Sequence, residues 1–269
     1  MKPKNIIIVG NWKMHLNVHE SSLLLHHLQE TIKTHRSVEV VLAPSLLALQ
    51  PLSLQIDRRR FRLAAQNAYE KDEGAYTGEV SFAMLRELVH YVIVGHSERR
   101  RYFHESLEVV REKTAAAVRN GIIPILCIGE TKREREAHET NQVLHDQLTT
   151  AVSNLTSQEI GEIVIAYEPV WAISSGADFA SHEMPTPDEV AKAVSFIRHN
   201  LAELYGATVA ENVRVIYGGS SNADNASFYL NTPGVDGLLP GGASLKYHEF
   251  AAIVESAERA AANRGLNDN

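Results

Sequence analysis

Three side chains in this chain of 269 residues sit where acid–base chemistry could use them. Lys13, His96 and Glu168 each come just after a short apolar run: IIIVG (6–10), YVIVG (91–95) and IVIAY (163–167). Asn11 and Lys13 would set an amide and a fixed positive charge beside the end of the first run. His96 precedes Ser97 and Glu98, which read as the start of a short helix. An imidazole next to the positive end of a helix is suited to the neutral form, which can donate a hydrogen bond to a carbonyl oxygen. Glu168 would bring a carboxylate to the edge of an apolar site, where it could serve as a general base. Each also has a plain structural reading: a surface lysine, a satisfied histidine, a glutamate paired with an arginine. Two glycine pairs complete the set, Gly218-Gly219 before Ser220 and Gly241-Gly242 before Ala243-Ser244. Paired glycines let backbone N–H groups approach an anion closely.

These residues need a frame that brings them together. Eight apolar runs read as strands: Ile6–Gly10, Glu39–Ala43, Arg62–Gln66, Tyr91–Gly95, Ile122–Ile128, Ile163–Tyr167, Val213–Tyr217 and Val235–Leu239. Most are continuously apolar and rich in Val and Ile, as suits parallel strands covered on both faces. Amphipathic stretches separate them: Val18–Lys33, Leu107–Arg119, Asn141–Leu155, and a segment opened by Thr186-Pro187-Asp188-Glu189 that runs to Leu204. The last has an N-cap residue, proline at the first helical position and acids in the first turn. Eight strand–helix units in one domain of this length predict an α/β fold, a closed single-domain (β/α)₈ barrel. In such barrels the functional side chains lie just after the strands.

Composition narrows the classes. The formal net charge of −7 opposes a general nucleic-acid binder. The clusters Arg58–Arg60 and Arg99–Arg101 read as solvated or salt-bridged surface. Cys127 is the single cysteine, so no internal disulfide forms, which fits a reducing, cytoplasmic setting. The N-terminal apolar run is too short for a signal-peptide core, and no run has the length of a membrane span. Neither nucleotide fingerprint, G-x-G-x-x-G or G-x-x-x-x-G-K-[ST], is present. His15, His19, His26 and His27 lack a third ligand nearby in sequence, and no metal is expected.

The strand-end motifs together resemble the triosephosphate isomerase family across essentially the whole chain. They are GNWKM (10–14), AQNA (65–68), GAYTGE (74–79), VGHSERR (94–100), CIGET (127–131), AYEPVWAI (166–173), YGGS (217–220) and GGASL (241–245). The family is itself a standard example of tuned acid–base chemistry. The resemblance implies interconversion of dihydroxyacetone phosphate and glyceraldehyde 3-phosphate. It implies Glu168 as base, neutral His96 as electrophile, and Lys13, assisted by Asn11, as the balance for phosphate and enediolate charge. Glu98 matches a supporting carboxylate. Backbone amides at Ser174, Ser220, Gly241 and Gly242 would hold the phosphate, and Ile173 and Leu239 would clamp the base. GAYTGE matches a dimer loop that would carry Thr77 to a neighbouring subunit, near its Asn11 and His96. The implied assembly is a homodimer, with no cofactor, nucleic acid or membrane partner.

The chain departs from the family pattern in its lid. Ala172-Ile173-Ser174-Ser175-Gly176-Ala177 replaces A-I-G-T-G-K, and the ten residues ADFASHEMPT lengthen the connection from Gly176 to Pro187. His15 follows GNWKM where the family has asparagine, and Pro240 precedes the second glycine pair in place of an aliphatic residue. A related isomerase of a four-carbon ketose phosphate is the nearest alternative. A non-catalytic phosphate-binding barrel is the alternative from another class.

Overall fold

The computed structural model describes residues 4–33, 37–173 and 183–266. Eight parallel strands close into a barrel in chain order: β1 (Ile6–Asn11), β2 (Val38–Ala43), β3 (Phe61–Ala65), β4 (Tyr91–Val94), β5 (Ile123–Ile128), β6 (Val164–Tyr167), β7 (Arg214–Tyr217) and β8 (Gly237–Leu238). Alternation along each strand divides the core in two. Ile7 and Val9 point into the barrel with Val41, Ile93, Ile125 and Val164. Ile6 and Ile8 point outward into the layer shared with the helices.

The strand ends move slightly from the sequence reading, each for a local reason. β4 stops at Val94 because Gly95 turns into the left-handed region at φ +70°. β5 begins at Ile123, since the Ile122 N–H is used by the preceding helix end, on Ala117 O. β8 shrinks from five residues to two. Its register is held by Ile7↔Gly237 and Ile8↔Leu238 on one side and by Tyr217↔Leu238 on the other. Gly237 is needed at this seam: a Cβ there would lie 1.9 Å from Ile7 O, so a side chain would force the closing strands apart.

The main helices follow the amphipathic stretches: Val18–Thr31, Leu107–Arg119, Thr140–Val152 and Pro187–Tyr205, with Tyr247–Asn263 closing the chain. The Thr186 cap is realised as a capping box with Glu189, with Pro187 in the first turn. Short helices also appear directly after strands, at Ser97–Tyr102 and Lys132–Glu136.

The N-terminal mouth of the barrel is plugged by polar side chains from three strand starts. Arg214 Nη1 donates to Glu39 Oε2 at 2.7 Å, Arg214 Nη2 to Tyr91 Oη at 2.8 Å, and Tyr91 Oη–H to Glu39 Oε1 at 2.8 Å. Burial raises the Tyr91 phenol to about 12, so it stays a donor. With this end sealed, the opposite mouth is free to hold chemistry.

Candidate active site

Asn11, Lys13, His96, Glu98 and Glu168 gather at the C-terminal mouth, as the strand ends predicted. Asn11, His96 and Glu168 are buried, at 6%, 7% and 1% exposure. His96 caps the Ser97–Tyr102 helix with its own ring, Nδ1 accepting the Glu98 N–H at 3.2 Å. An accepting Nδ1 carries no proton, so the neutral ring holds its proton on Nε2. That nitrogen faces the mouth, 3.2 Å from Glu168 Oε1. The approach is off hydrogen-bond alignment, and Oε1 is a buried oxygen without a hydrogen bond. Oε2 accepts the Ser97 N–H at 3.0 Å. One oxygen is therefore parked on a helix N-terminus while the other stays buried beside His96, with the Cys127 thiol also next to the carboxylate. Glu168 makes no direct ion pair with an arginine among the described residues, although the charge of the nearby Arg100 acts on it.

Lys13 is held by strain and by neighbours. Its φ of +52° is in the left-handed region, uncommon for a residue with a side chain. Its N–H donates to Asn11 Oδ1 at 3.0 Å, and Gln66 Nε2 donates to Lys13 O and Ala43 O, both at 2.8 Å. Gln66 thus ties the ends of three strands together. Lys13 Nζ reaches Glu98 Oε1 at 2.7 Å, leaving the ammonium at the mouth.

Of the glycine loops, the second is the readier for an anion. The backbone N–H groups of Gly241 and Gly242 have no hydrogen-bond acceptor among the described residues. A Cβ on Gly241 would lie 3.1 Å from Lys13 Cε, so the loop passes against the cation. The Ser220 N–H instead donates to Ala172 O at 3.0 Å and would have to exchange that partner to reach a ligand. Ile173 and Leu239 are both buried. Ser174, and residues 177–182 of the longer connection, lie outside the described residues.

Several residues support the base in ways the sequence does not assign; Gly218 reads there only as part of an anion-binding glycine pair. Gly129 and Gly218 make room for the base: a Cβ on Gly129 would lie 1.8 Å from Glu168 O, and one on Gly218 2.7 Å from Glu168 Cγ. Glu130 accepts from Trp171 Nε1 at 2.9 Å and from Tyr167 Oη at 3.2 Å. Burial pushes its carboxyl up, against those hydrogen bonds and the nearby Arg135 charge. Both glycines, Glu130 and Gln66 sit inside quoted motifs, which was the available signal. Arg100 is a correction to the surface reading of its cluster. It is largely buried, with Nε on Gly95 O at 2.8 Å and Nη2 on Cys127 O at 3.1 Å.

A cavity of about 310 Å³ opens beside Asn11, Lys13, His96 and Glu98 and extends to Met14, Gly78 and Phe103.

A closed eight-stranded barrel with an imidazole, a carboxylate and an ammonium at its mouth defines a (β/α)₈ barrel of the enzymatic type. Comparison with known proteins gives the family: the triosephosphate isomerase family model matches residues 6–257. A triosephosphate isomerase from Citrifermentans bemidjiense is 41% identical over 253 residues, 94% of this chain and 98% of that protein. One from Caldanaerobacter subterraneus subsp. tengcongensis is 41% identical over 249 residues, covering 92% and 98%. One from Dehalococcoides mccartyi is 39% identical over 254 residues, covering 94% and 97%. The chain belongs to the triosephosphate isomerase family.

Proposed function

We propose that this protein interconverts dihydroxyacetone phosphate and glyceraldehyde 3-phosphate, with Glu168 as the base. The observation that carries the reading is the buried Glu168 with its unbonded Oε1 3.2 Å from His96 Nε2. Glu168 removes the proton from the carbon beside the carbonyl. The C–H electron pair becomes the double bond of the enediolate, and the carbonyl electrons move onto oxygen. His96 Nε2–H donates to that oxygen and passes protons between the two oxygens. Lys13 balances enediolate and phosphate charge, with Asn11 and Glu98 holding its position. Glu168 returns the proton to the neighbouring carbon. Phosphate is taken by the backbone amides of Ser174, Ser220, Gly241 and Gly242, and Ile173 and Leu239 clamp over the base, keeping out water that would favour side reactions.

The unit of function in this reading is a cytoplasmic homodimer. Met14 and Phe103, on loops that flank the site, are 95% and 63% exposed, and Leu47, on the Leu46–Ser53 helix, is 80% exposed, apolar surface suited to a partner. The exposed 74–79 loop would carry Thr77 into the other subunit. Among the described residues no helix is long and apolar enough to cross a membrane.

A coupled assay with glyceraldehyde 3-phosphate beside four-carbon ketose phosphates tests the substrate. Preference for the triose is expected; equal or better efficiency with the four-carbon compounds overturns it. Glu168→Gln tests the base. Turnover should fall by about 10²–10⁴-fold while binding of phosphate ligands is nearly unchanged. Unchanged turnover removes Glu168 as the base, and a wild type that binds phosphate ligands without turnover returns the protein to the binding-module reading.

A further inference from the structure

Beyond the site itself, one guanidinium joins three neighbouring parts of the barrel. Arg135 lies on the Lys132–Glu136 helix after β5. Its flat face covers the Trp171 ring, 3.8 Å from the centroid. Its Nη1 reaches Glu183 Oε1 at 3.1 Å and its Nη2 reaches Glu189 Oε1 at 2.6 Å. Each partner is informative. Trp171 stands three residues after the base, 5% exposed, its indole N–H already fixed on Glu130. Glu189 gives its other oxygen to the N–H and hydroxyl of Thr186, capping the Pro187–Tyr205 helix. Glu183 belongs to the stretch that lengthens the connection between Gly176 and Pro187.

We propose that Arg135 is a positioning residue for the reaction, holding the Glu168–Ile173 corner by its Trp171 and fastening that corner to Glu183 and the Glu189 cap. This inference rests on the isomerase reading above. The corner after β6 is held at the indole edge by Glu130 and on the indole face by Arg135. The same guanidinium pins the chain again at residue 183, so both flanks of the lengthened connection meet on one side chain. The fork and plane of an arginine can serve ring and carboxylates at once; the point charge of a lysine cannot.

The test compares Arg135→Met, Arg135→Lys, Glu183→Gln and the double variant Arg135→Met/Glu183→Gln. Steady-state kinetics with glyceraldehyde 3-phosphate, thermal unfolding and tryptophan emission are measured on each. Arg135→Met and Arg135→Lys should raise KM by about three- to ten-fold with kcat nearly unchanged, the range of one stacked cation and two partly exposed ion pairs. Glu183→Gln should raise KM by a smaller factor and add nothing in the double variant. Emission should change in Arg135→Met and, less, in Glu183→Gln, with a small change in Tm. Unchanged KM, additive effects, or a loss of Tm with KM intact overturns the proposal. A wild type inactive on triose phosphates overturns the isomerase reading instead. The positioning of Trp171 is then judged by emission, which does not need turnover, and an unaltered spectrum in Arg135→Met and Glu183→Gln rejects it.

Discussion

Glu168 has little freedom of its own: the space around it belongs to glycines on neighbouring loops. The 2.7 Å separation a Cβ on Gly218 would have from Glu168 Cγ is below any real contact distance. Gly218→Ala should therefore displace the carboxylate rather than unfold the barrel, because the obstacle is the side chain of the base. The expected result is a kcat lower by about 10²-fold, the order that a misplacement of about 1 Å costs, with Tm within a few degrees of wild type. Steady-state kinetics and thermal unfolding check both parts; wild-type kcat would show that the base can give way at no cost. Gln66 acts at the same scale by holding the Lys13 carbonyl. Gln66→Leu should raise KM more than it lowers kcat, since it loosens a strained loop that carries the ammonium. Kinetics with glyceraldehyde 3-phosphate separate the two effects.

At the scale of elements, the Leu107–Arg119 helix carries a buried ion pair. Lys113 is 4% exposed, and its ammonium bonds Glu105 and Asn67, while Arg99 holds the same carboxylate. Burial alone would push the Glu105 carboxyl up. The hydrogen bonds and charges of Lys113 and Arg99 outweigh it, and its pKa lies below the ordinary value. A depressed folded pKa gives stability that is present above the unfolded pKa and lost as pH falls through the folded one. Glu105→Gln leaves a buried ammonium without its partner and should cost about 3–5 kcal/mol near neutral pH. The gap between variant and wild type should narrow as pH drops below about 4. Denaturant unfolding at several pH values checks this; a gap that widens in acid would mean the pair is not what stabilises this corner.

At the scale of the whole molecule, the barrel leaves an apolar face beside its site. The cavity next to Lys13 and His96 is partly walled by Met14 and Phe103, which are largely exposed in the single chain. A second subunit would cover them and enclose the site. Leu47→Glu, at a residue 80% exposed, should therefore give a folded monomer with much reduced kcat/KM. Light scattering with the activity assay tests this. A fully active monomer would remove the second subunit from the reaction.

The sequence by itself determined the order of strands and helices, the closed barrel, and which residues stand at its mouth. Continuous apolar runs have few other ways to bury both faces, and position after a strand already places Lys13, His96 and Glu168 on one rim. Small steps such as the left-handed turn at Gly95 moved strand ends without changing that rim. The tertiary structure decided what surrounds those residues. The imidazole proton is assigned to Nε2 by the Glu98 N–H, the base finds its room in glycines 39 residues before and 50 after it, and Arg100 turns from an expected surface cation into a buried brace on two carbonyls. The meeting of Arg135 with Trp171, Glu183 and Glu189 belongs to the same class. The His96–Glu98 and Arg100–Gly95 contacts fall within one motif; the others join residues far apart in sequence, and only closing the barrel brings their loops within hydrogen-bond range.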